Sequence, residues 1–256
     1  MVIPLDLQRN GTPWAGFLGV SCRADYERSL QALESVLGPT EKACFDQLRF
    51  PRRRRSYLMG RIALKRAAGR LLEEPQLEKL EILSGVFQQP LLHYSFAAAP
   101  EISLAHCRGL AVGVAARSGH LIGIDLEFID PAREDAFASV FTRDELAMLE
   151  SLALPPIHAA FALWTMREGL SKVLRCGLTA SAEALCAKEM KSSGTQPGSV
   201  SCEAEFKHFA QYKARSWIVA GYVMSIVIPK STTMGFTPDE ALVGIFEQAT
   251  AASEAD

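Results

Sequence analysis

Two stretches of helical periodicity, each followed by strand-like sequence, constrain the fold of this chain more than any other feature. From Arg54 to Leu72, apolar residues recur at Tyr57, Leu58, Ile62, Leu64, Ala67 and Leu71. That is the spacing of a helix with one buried face, and Arg61, Lys65 and Arg70 occupy the other. A second helix is predicted from about Pro156 to Leu174. Arg61 and Lys65 stand four apart on the first helix, and Glu168 and Lys172 four apart on the second. Two similar α/β halves of about 110 residues, meeting near Arg117–Leu121, would account for this repeat. Coincidence would produce the same spacing.

Other elements follow from local chemistry. A helical pattern runs from about Asp25 to Leu37; Gly38-Pro39-Thr40 breaks it and can cap a helix from about Glu41. Leu80–Leu83 is a strand candidate. Leu110–Ala115 and Leu121–Glu127 flank Arg117-Ser118-Gly119-His120, which reads as an antiparallel hairpin. Thr142 with Glu145 is a capping-box pattern. Lys191–Ser201 reads as a polar loop, and Phe206–Ile228 as a pair of strands. Little core structure is expected after Pro229, beyond a short docking helix over Glu240–Phe246 and a frayed ATAASEAD end.

Composition narrows the function classes. The chain has 256 residues, 48% hydrophobic and 22% charged, the balance of a globular protein with a core. Its 27 basic and 29 acidic residues give a net charge of -2, which argues against a nucleic-acid partner. The longest apolar run, Ile218–Ile228, has 11 residues, too few to span a membrane. The six cysteines form no CxxC pair and fit no zinc spacing, so they read as reduced thiols. With no basic-then-apolar leader at the amino terminus, a cytoplasmic location is expected.

The residues that carry chemistry sit in two places. On a strand, Asp125 and Glu127 project from one face and Ile124 and Leu126 from the other. Two adjacent carboxylates are either solvated at a strand edge or bound to a cation, and Gly123 on their face leaves room for a ligand. In Phe161–Lys172, Trp164, Glu168 and Lys172 share one helical stripe. Alone, Glu168 and Lys172 make an ordinary surface pair and Trp164 a core residue.

Together these segments, IGIDLE and FALWTMREGLSK, resemble the 4′-phosphopantetheinyl transferase superfamily, in particular its two-lobed, surfactin-synthetase-activating type. The family pattern is an apolar-Gly-apolar-Asp-x-Glu strand followed by Trp-[Ser/Thr/Cys]-x-[Lys/Arg]-Glu-x-x-x-Lys. Here Asp125 and Glu168 lie 43 positions apart. Weaker similarity runs from about Arg53 to Pro229 through RRRRSYLMGR, SLAHC, FTRDE and the strand around Trp217. The resemblance implies an α/β (α+β) fold of two similar halves related by a pseudo-twofold axis, each an antiparallel sheet packed against helices. The expected division is residues 1–118, residues 119–230 with the catalytic groups, and a tail over 231–256.

It further implies a holo-[acyl-carrier-protein] synthase activity: Mg2+-dependent transfer of phosphopantetheine from coenzyme A to a serine of an apo acyl or peptidyl carrier protein. Adenosine 3′,5′-bisphosphate is the other product. Asp125, Glu127 and Glu168 are then the metal ligands, with Glu168, Lys172 and Asp125 the catalytic set and Lys172 also on the diphosphate. Between Lys42 and Arg70 ten basic residues face one acid; the resemblance places Arg54, Arg55 and Arg61 on coenzyme A phosphates. His106, in SLAHC, matches a histidine that contacts the 3′-phosphate. Gln89 and Pro90 stand where the family has Gly-Lys-Pro or Gly-Arg-Pro, so a charge is missing there. Arg143, Lys188 and Lys191 are candidate carrier contacts. A monomer is expected, with no membrane and no nucleic acid. The competing reading is a non-catalytic coenzyme A or nucleotide sensor.

Overall fold

The computed structural model describes residues 1–196 and 198–253. The chain opens with β1 (Val2–Pro4), β2 (Leu7–Arg9), β3 (Thr12–Trp14) and β4 (Gly16–Cys22), then α1 (Arg23–Leu30), α2 (Pro39–Gln47) and α3 (Pro51–Leu72). Strands β5 (Glu81–Ser84), β6 (Pro90–His93), β7 (Glu101–Cys107) and β8 (Leu110–Ala116) follow. Next come β9 (Gly123–Phe128), α4 (Glu134–Val140), α5 (Arg143–Glu150) and α6 (Pro156–Leu174). Strands β10 (Ala187–Gln196), β11 (Ser199–Phe206), β12 (Tyr212–Val219), β13 (Tyr222–Pro229) and β14 (Thr232–Met234) lead to α7 (Glu240–Ser253). From β4 to β8 and again from β9 to β13 the order is one strand, three helices, four strands. The fold is mixed α/β, with antiparallel sheets covered by helices in two lobes. The two largest sheets have the orders β1-β4-β8-β7 and β10-β11-β12-β13-β9; β14-β2-β3 and β5-β6 make two smaller ones.

Each lobe is tied together by a glutamate at the third position of a capped helix. Glu41 in α2 accepts from its own cap at Gly38 N (3.1 Å) and from Ile82 N (3.0 Å) across to β5. Arg61 Nε lies 3.2 Å from the same carboxylate, and Lys65, fully buried on α3, makes a short bond to it. In the second lobe Glu145 accepts from Thr142 N (2.9 Å), from Ala187 N (2.9 Å) at the start of β10, and from Arg167 on α6 (3.4 Å). The structural counterpart of Arg61 is therefore Arg167, not Glu168. The apparent repeat of charged pairs was one residue out of register.

Gly123 allows α6 to lie on β9: a Cβ there would stand 2.1 Å from Gly169 O. Gly19 does the same for α3 on β4, where a Cβ would meet Ala63 O at 2.0 Å.

Several expectations are corrected. Strands β8 and β9 form no hairpin: β8 lies between β4 and β7, and β9 pairs with β13 in the other sheet. All seven residues of β8 are buried, so it needs neighbours on both edges. Among the described residues, two-residue turns of this kind lie at Asn10-Gly11, Arg108-Gly109 and Ala220-Gly221. Both residues of each have positive φ, as two-residue hairpin loops require. Asp25–Leu37 is not one helix; α1 stops at Leu30.

The stretch 191–201 lies mostly in the β10–β11 hairpin. Its polarity is that of an edge strand, not of a loop; Pro197 lies outside the described residues. The segment after Pro229 is not peripheral. β14 pairs with β2, and Leu242 and Phe246 of α7 are fully buried in a core that also holds Val112 and Trp217. α7 runs on through Ser253; residues 254–256 lie outside the described residues.

Candidate active site

The two sheets meet edge to edge along β7 and β9 without a backbone ladder between them. Side chains bridge the seam. Ser103 Oγ accepts from Ile124 N (3.1 Å), and Lys172 Nζ donates to Leu104 O (3.0 Å), Ile124 O (2.8 Å) and Asp125 Oδ1 (2.8 Å). All three ammonium hydrogens of Lys172 are thus used. The first lobe has a related contact, in which Arg66 donates to Val20 O (3.1 Å) and Asp25 (2.8 Å).

The seam opens into a cleft whose walls come from both lobes. A cavity of about 580 Å³ runs between Gln89 and Pro90 on one side and Asp125, Glu127 and Lys172 on the other, with His106 between. Beyond His106 and Glu127 lies a chamber of about 790 Å³ lined by Arg23, Arg52, Arg55 and Arg108 and closed by Ala249 and Ala252 of α7. A third, of about 760 Å³, has Phe50, Arg52, Arg53, Tyr57 and Arg61 around the other side of His106. His106 is therefore the point where all three meet. The carboxylates lie at one end and the arginines at the other.

The acids are electrostatically crowded. Asp125 is only 7% exposed, and its Oδ2 is buried with no hydrogen-bond partner. Glu127 is half-buried; burial first, and then the charge of Asp125, raises its pKa, while Arg133 (3.3 Å) and Lys172 oppose the rise. Glu168, one turn before Lys172 on α6, is pushed up to about 7 by burial, then by Asp125, with Glu127 adding a smaller share. His106 is held below the usual imidazole range by the partial enclosure of the cleft and next by the Lys172 ammonium. Cys107, beside Glu127, is pushed up to about 11, mainly by burial, so it stays a neutral thiol.

Among the described residues no three His, Cys, Asp or Glu side chains form a ready-made metal group. Asp125 is turned to Lys172 and Glu127 to Arg133. The donor set nevertheless fits a hard divalent cation. It is all oxygen, it includes an orphaned carboxylate oxygen, and burial together with the charge of Asp125 raises the pKa of both Glu127 and Glu168.

Not every basic residue singled out in the sequence reaches the cleft. Arg55 lines the arginine chamber, whereas Arg54 turns inward, donating to Phe45 O (2.9 Å) and Leu48 O (3.2 Å). Arg61 touches the third chamber but is held by Glu41, by Ile82 O (3.3 Å) and by the Tyr57 ring. Gln89 Oε1 accepts from Phe87 N (2.9 Å), closing the β5–β6 turn. Arg167 is buried and structural. Arg143, Lys188 and Lys191 are exposed on α5 and β10, and Lys191 lies 4.0 Å from Glu203. Sequence reasoning missed Arg52 and Arg108, which line the arginine chamber from a helix start and a turn, and Arg133, which reaches Glu127 from the connection after β9. No motif spacing marks them.

No helix among the described residues is long and apolar enough to cross a membrane. A comparison with curated proteins gives no match. Among solved structures, a holo-(acyl-carrier-protein) synthase from Bacillus anthracis in complex with CoA (3′,5′-ADP) is 22% identical, with a TM-score of 0.34 over 40% of this chain and 96% of that one. A holo-ACP-synthase from Plasmodium yoelii is 14% identical, with a TM-score of 0.33 over 46% and 99%. The holo-[acyl-carrier-protein] synthase of Thermotoga maritima is 25% identical, with a TM-score of 0.31 over 42% and 67%. Residues 121–227, the segment that carries Asp125, Glu127, Glu168 and Lys172, match the family model of the 4′-phosphopantetheinyl transferase superfamily.

Proposed function

We propose that the chain transfers 4′-phosphopantetheine from coenzyme A to a serine hydroxyl of an apo acyl or peptidyl carrier protein, releasing adenosine 3′,5′-bisphosphate. The observation that carries this reading is the pairing, in one cleft, of a crowded carboxylate end with an arginine chamber joined at His106. The match of residues 121–227 to the family model supports it. The element order that occurs twice in the chain supports the two-lobed, surfactin-synthetase-activating subtype. Both walls of the cleft come from one chain, which supports action as a monomer. The cytoplasm, where a chain with reduced thiols persists, is the proposed site of action.

In this reading Asp125, Glu127 and Glu168 would hold Mg2+, which when bound neutralises the charge of the diphosphate. Glu168 takes the proton from the carrier serine. Without metal, burial and the charge of Asp125 push Glu168 up to about 7, so its carboxylate is more basic than that of an ordinary glutamate. The serine oxygen then bonds to the β-phosphorus, and the bond from that phosphorus to the bridging oxygen breaks. The electron pair leaves on adenosine 3′,5′-bisphosphate. Lys172 orients Asp125 and locks the β7–β9 seam. Contact with the diphosphate requires it to give up one of its three present acceptors. His106 and the arginines beyond it take the 3′-phosphate.

This assignment makes His106→Ala selective. A lost hydrogen bond to a charged phosphate is worth about tenfold or more in affinity. Calorimetric titration should therefore show the variant weakened by that factor for coenzyme A and nearly unchanged for 3′-dephospho-coenzyme A. Equal losses for the two ligands would remove His106 from the phosphate site.

A further inference from the structure

Arg133 lies on the connection between β9 and α4, where no family motif falls. Asp130 holds that connection at both ends, accepting from Ala132 N (3.1 Å) and from Arg108 (3.1 Å) on the β7–β8 turn. The Arg133 guanidinium lies 5.3 Å from the centre of the Phe161 ring, 5.8 Å from Phe137 and 5.9 Å from Trp164, the last one turn before Glu168 on α6. Its side chain makes one hydrogen bond among the described residues, Nη1 to Glu127 Oε2 at a long 3.3 Å.

That arrangement sets Arg133 apart from the other cations nearby. Lys172 has spent its three donors, and Arg167 is committed to Glu145, Val140 O and Ala182 O. A guanidinium has five donors, and Arg133 spends one of them on Glu127. Ring faces attract a cation without fixing its donors, so the group can rotate on them at little cost. Its side chain is 40% exposed, and the carboxylate it holds, Glu127, lines both the cleft and the arginine chamber. The carboxylate it holds is also one of the three that would bind metal. A metal ion and Arg133 therefore compete for Glu127, and Arg133, once displaced, is an unspent phosphate donor beside the diphosphate.

Resting on the transferase reading, we propose that Arg133 is a transferable counter-charge. It holds Glu127 while that carboxylate has no metal to bind, and it turns its guanidinium to a phosphate oxygen of coenzyme A when Glu127 becomes a ligand. No bond is made or broken in this exchange; one hydrogen bond is traded for another.

The test uses the full chain as wild type, Arg133→Gln and Arg133→Lys. First, Mn2+ alone is titrated and followed by electron paramagnetic resonance. Removing a competing positive charge a few ångströms from a dication should tighten Mn2+ binding about tenfold in Arg133→Gln, and Arg133→Lys should stay near wild type. Second, with Mn2+ saturating, Arg133→Gln should bind coenzyme A about tenfold more weakly but adenosine 3′-monophosphate, which has no diphosphate, as wild type does. Mn2+ binding no tighter in Arg133→Gln, or equal losses for the two nucleotides, overturns the proposal. If wild type binds both Mn2+ and coenzyme A while Arg133→Gln behaves identically, only the role of Arg133 falls. If wild type binds neither, the transferase reading falls and this proposal with it.

Discussion

Replacing Glu168 by Gln is expected to abolish transfer and to stabilise the fold above neutral pH. The loss of activity follows from removing the group that accepts the serine proton, and should reach about 10²- to 10⁴-fold. The gain in stability follows from linkage. Glu168 titrates at about 7 in the folded protein, against an ordinary value of 4.5. Between those two values the folded state binds a proton that the unfolded state has lost. Stability is therefore fully present below pH 4.5 and declines as the pH rises through 7. Gln carries no charge and escapes that decline. For a half-buried group the difference between variant and wild type should grow to on the order of 2 kcal/mol by pH 8. Urea unfolding with a chelator present, at pH 5 and at pH 8, measures it. A variant no more stable than wild type at pH 8, or one stabilised equally at both, would show that burial and the charge of Asp125 do not strain the Glu168 carboxylate.

The second large effect concerns a buried ion pair in the first lobe. Glu41→Ala leaves Lys65 fully buried with only Val36 O (2.6 Å) as a partner, and strips Gly38 N and Ile82 N of their acceptor. Burial already pulls the Lys65 ammonium below its usual range, and Glu41 is the group that pulls it back. Breaking such a pair from one side costs roughly 3–5 kcal/mol, because an uncompensated charge remains inside. Replacing both partners together, Glu41→Leu with Lys65→Met, removes the charge as well and should recover much of that loss. Unfolding midpoints of the two single variants and the double variant test this. A cost below about 1 kcal/mol for Glu41→Ala would mean that the buried pair does not hold α2, α3 and β5 together.

How much of this was legible in the sequence depended on whether the signal was local. The capping box at Thr142 and Glu145, the long helix over 156–174 and the strand through Asp125 and Glu127 rest on spacing within one element, and the structure has all three. Spacing also put Glu168 and Lys172 on one helical stripe. It could not show that Lys172 reaches across to Leu104 of the other lobe, 68 positions away. The resemblance places Arg54 and Arg61 on phosphates. The helix turns Arg54 inward to Phe45 O and Leu48 O, and ties Arg61, at the edge of the third chamber, to Glu41, since buried carbonyls and Glu41 also need donors. Glu41 itself drew no notice, because a glutamate at the start of a helix is common; its importance comes from Lys65 and Ile82, which only the fold brings to it.

The strand pairing was misread for a related reason. The Ser-Gly turn before β9 looked like a hairpin, yet Asn10-Gly11, a stronger hairpin signal, went unread in a short and polar stretch. A short docking helix from Glu240 is legible, but not that α7 runs to Ser253 and packs into the core. Leu242, Phe246 and Ala249 make a plausible amphipathic face, but their partner surface is built by both lobes together.

In the proposed reaction a carrier-protein serine receives phosphopantetheine in the β7–β9 cleft. Intact-mass spectrometry of apo acyl and peptidyl carrier proteins, incubated with the purified chain, coenzyme A and Mg2+, tests it most directly. At least one carrier should gain the mass of a single phosphopantetheine, mutating its acceptor serine to alanine should prevent the gain, and Asp125→Ala enzyme, still folded, should not produce it. Carriers left unmodified by wild type across fatty-acid, polyketide and peptide-synthesis types, or full modification by Asp125→Ala, would contradict it.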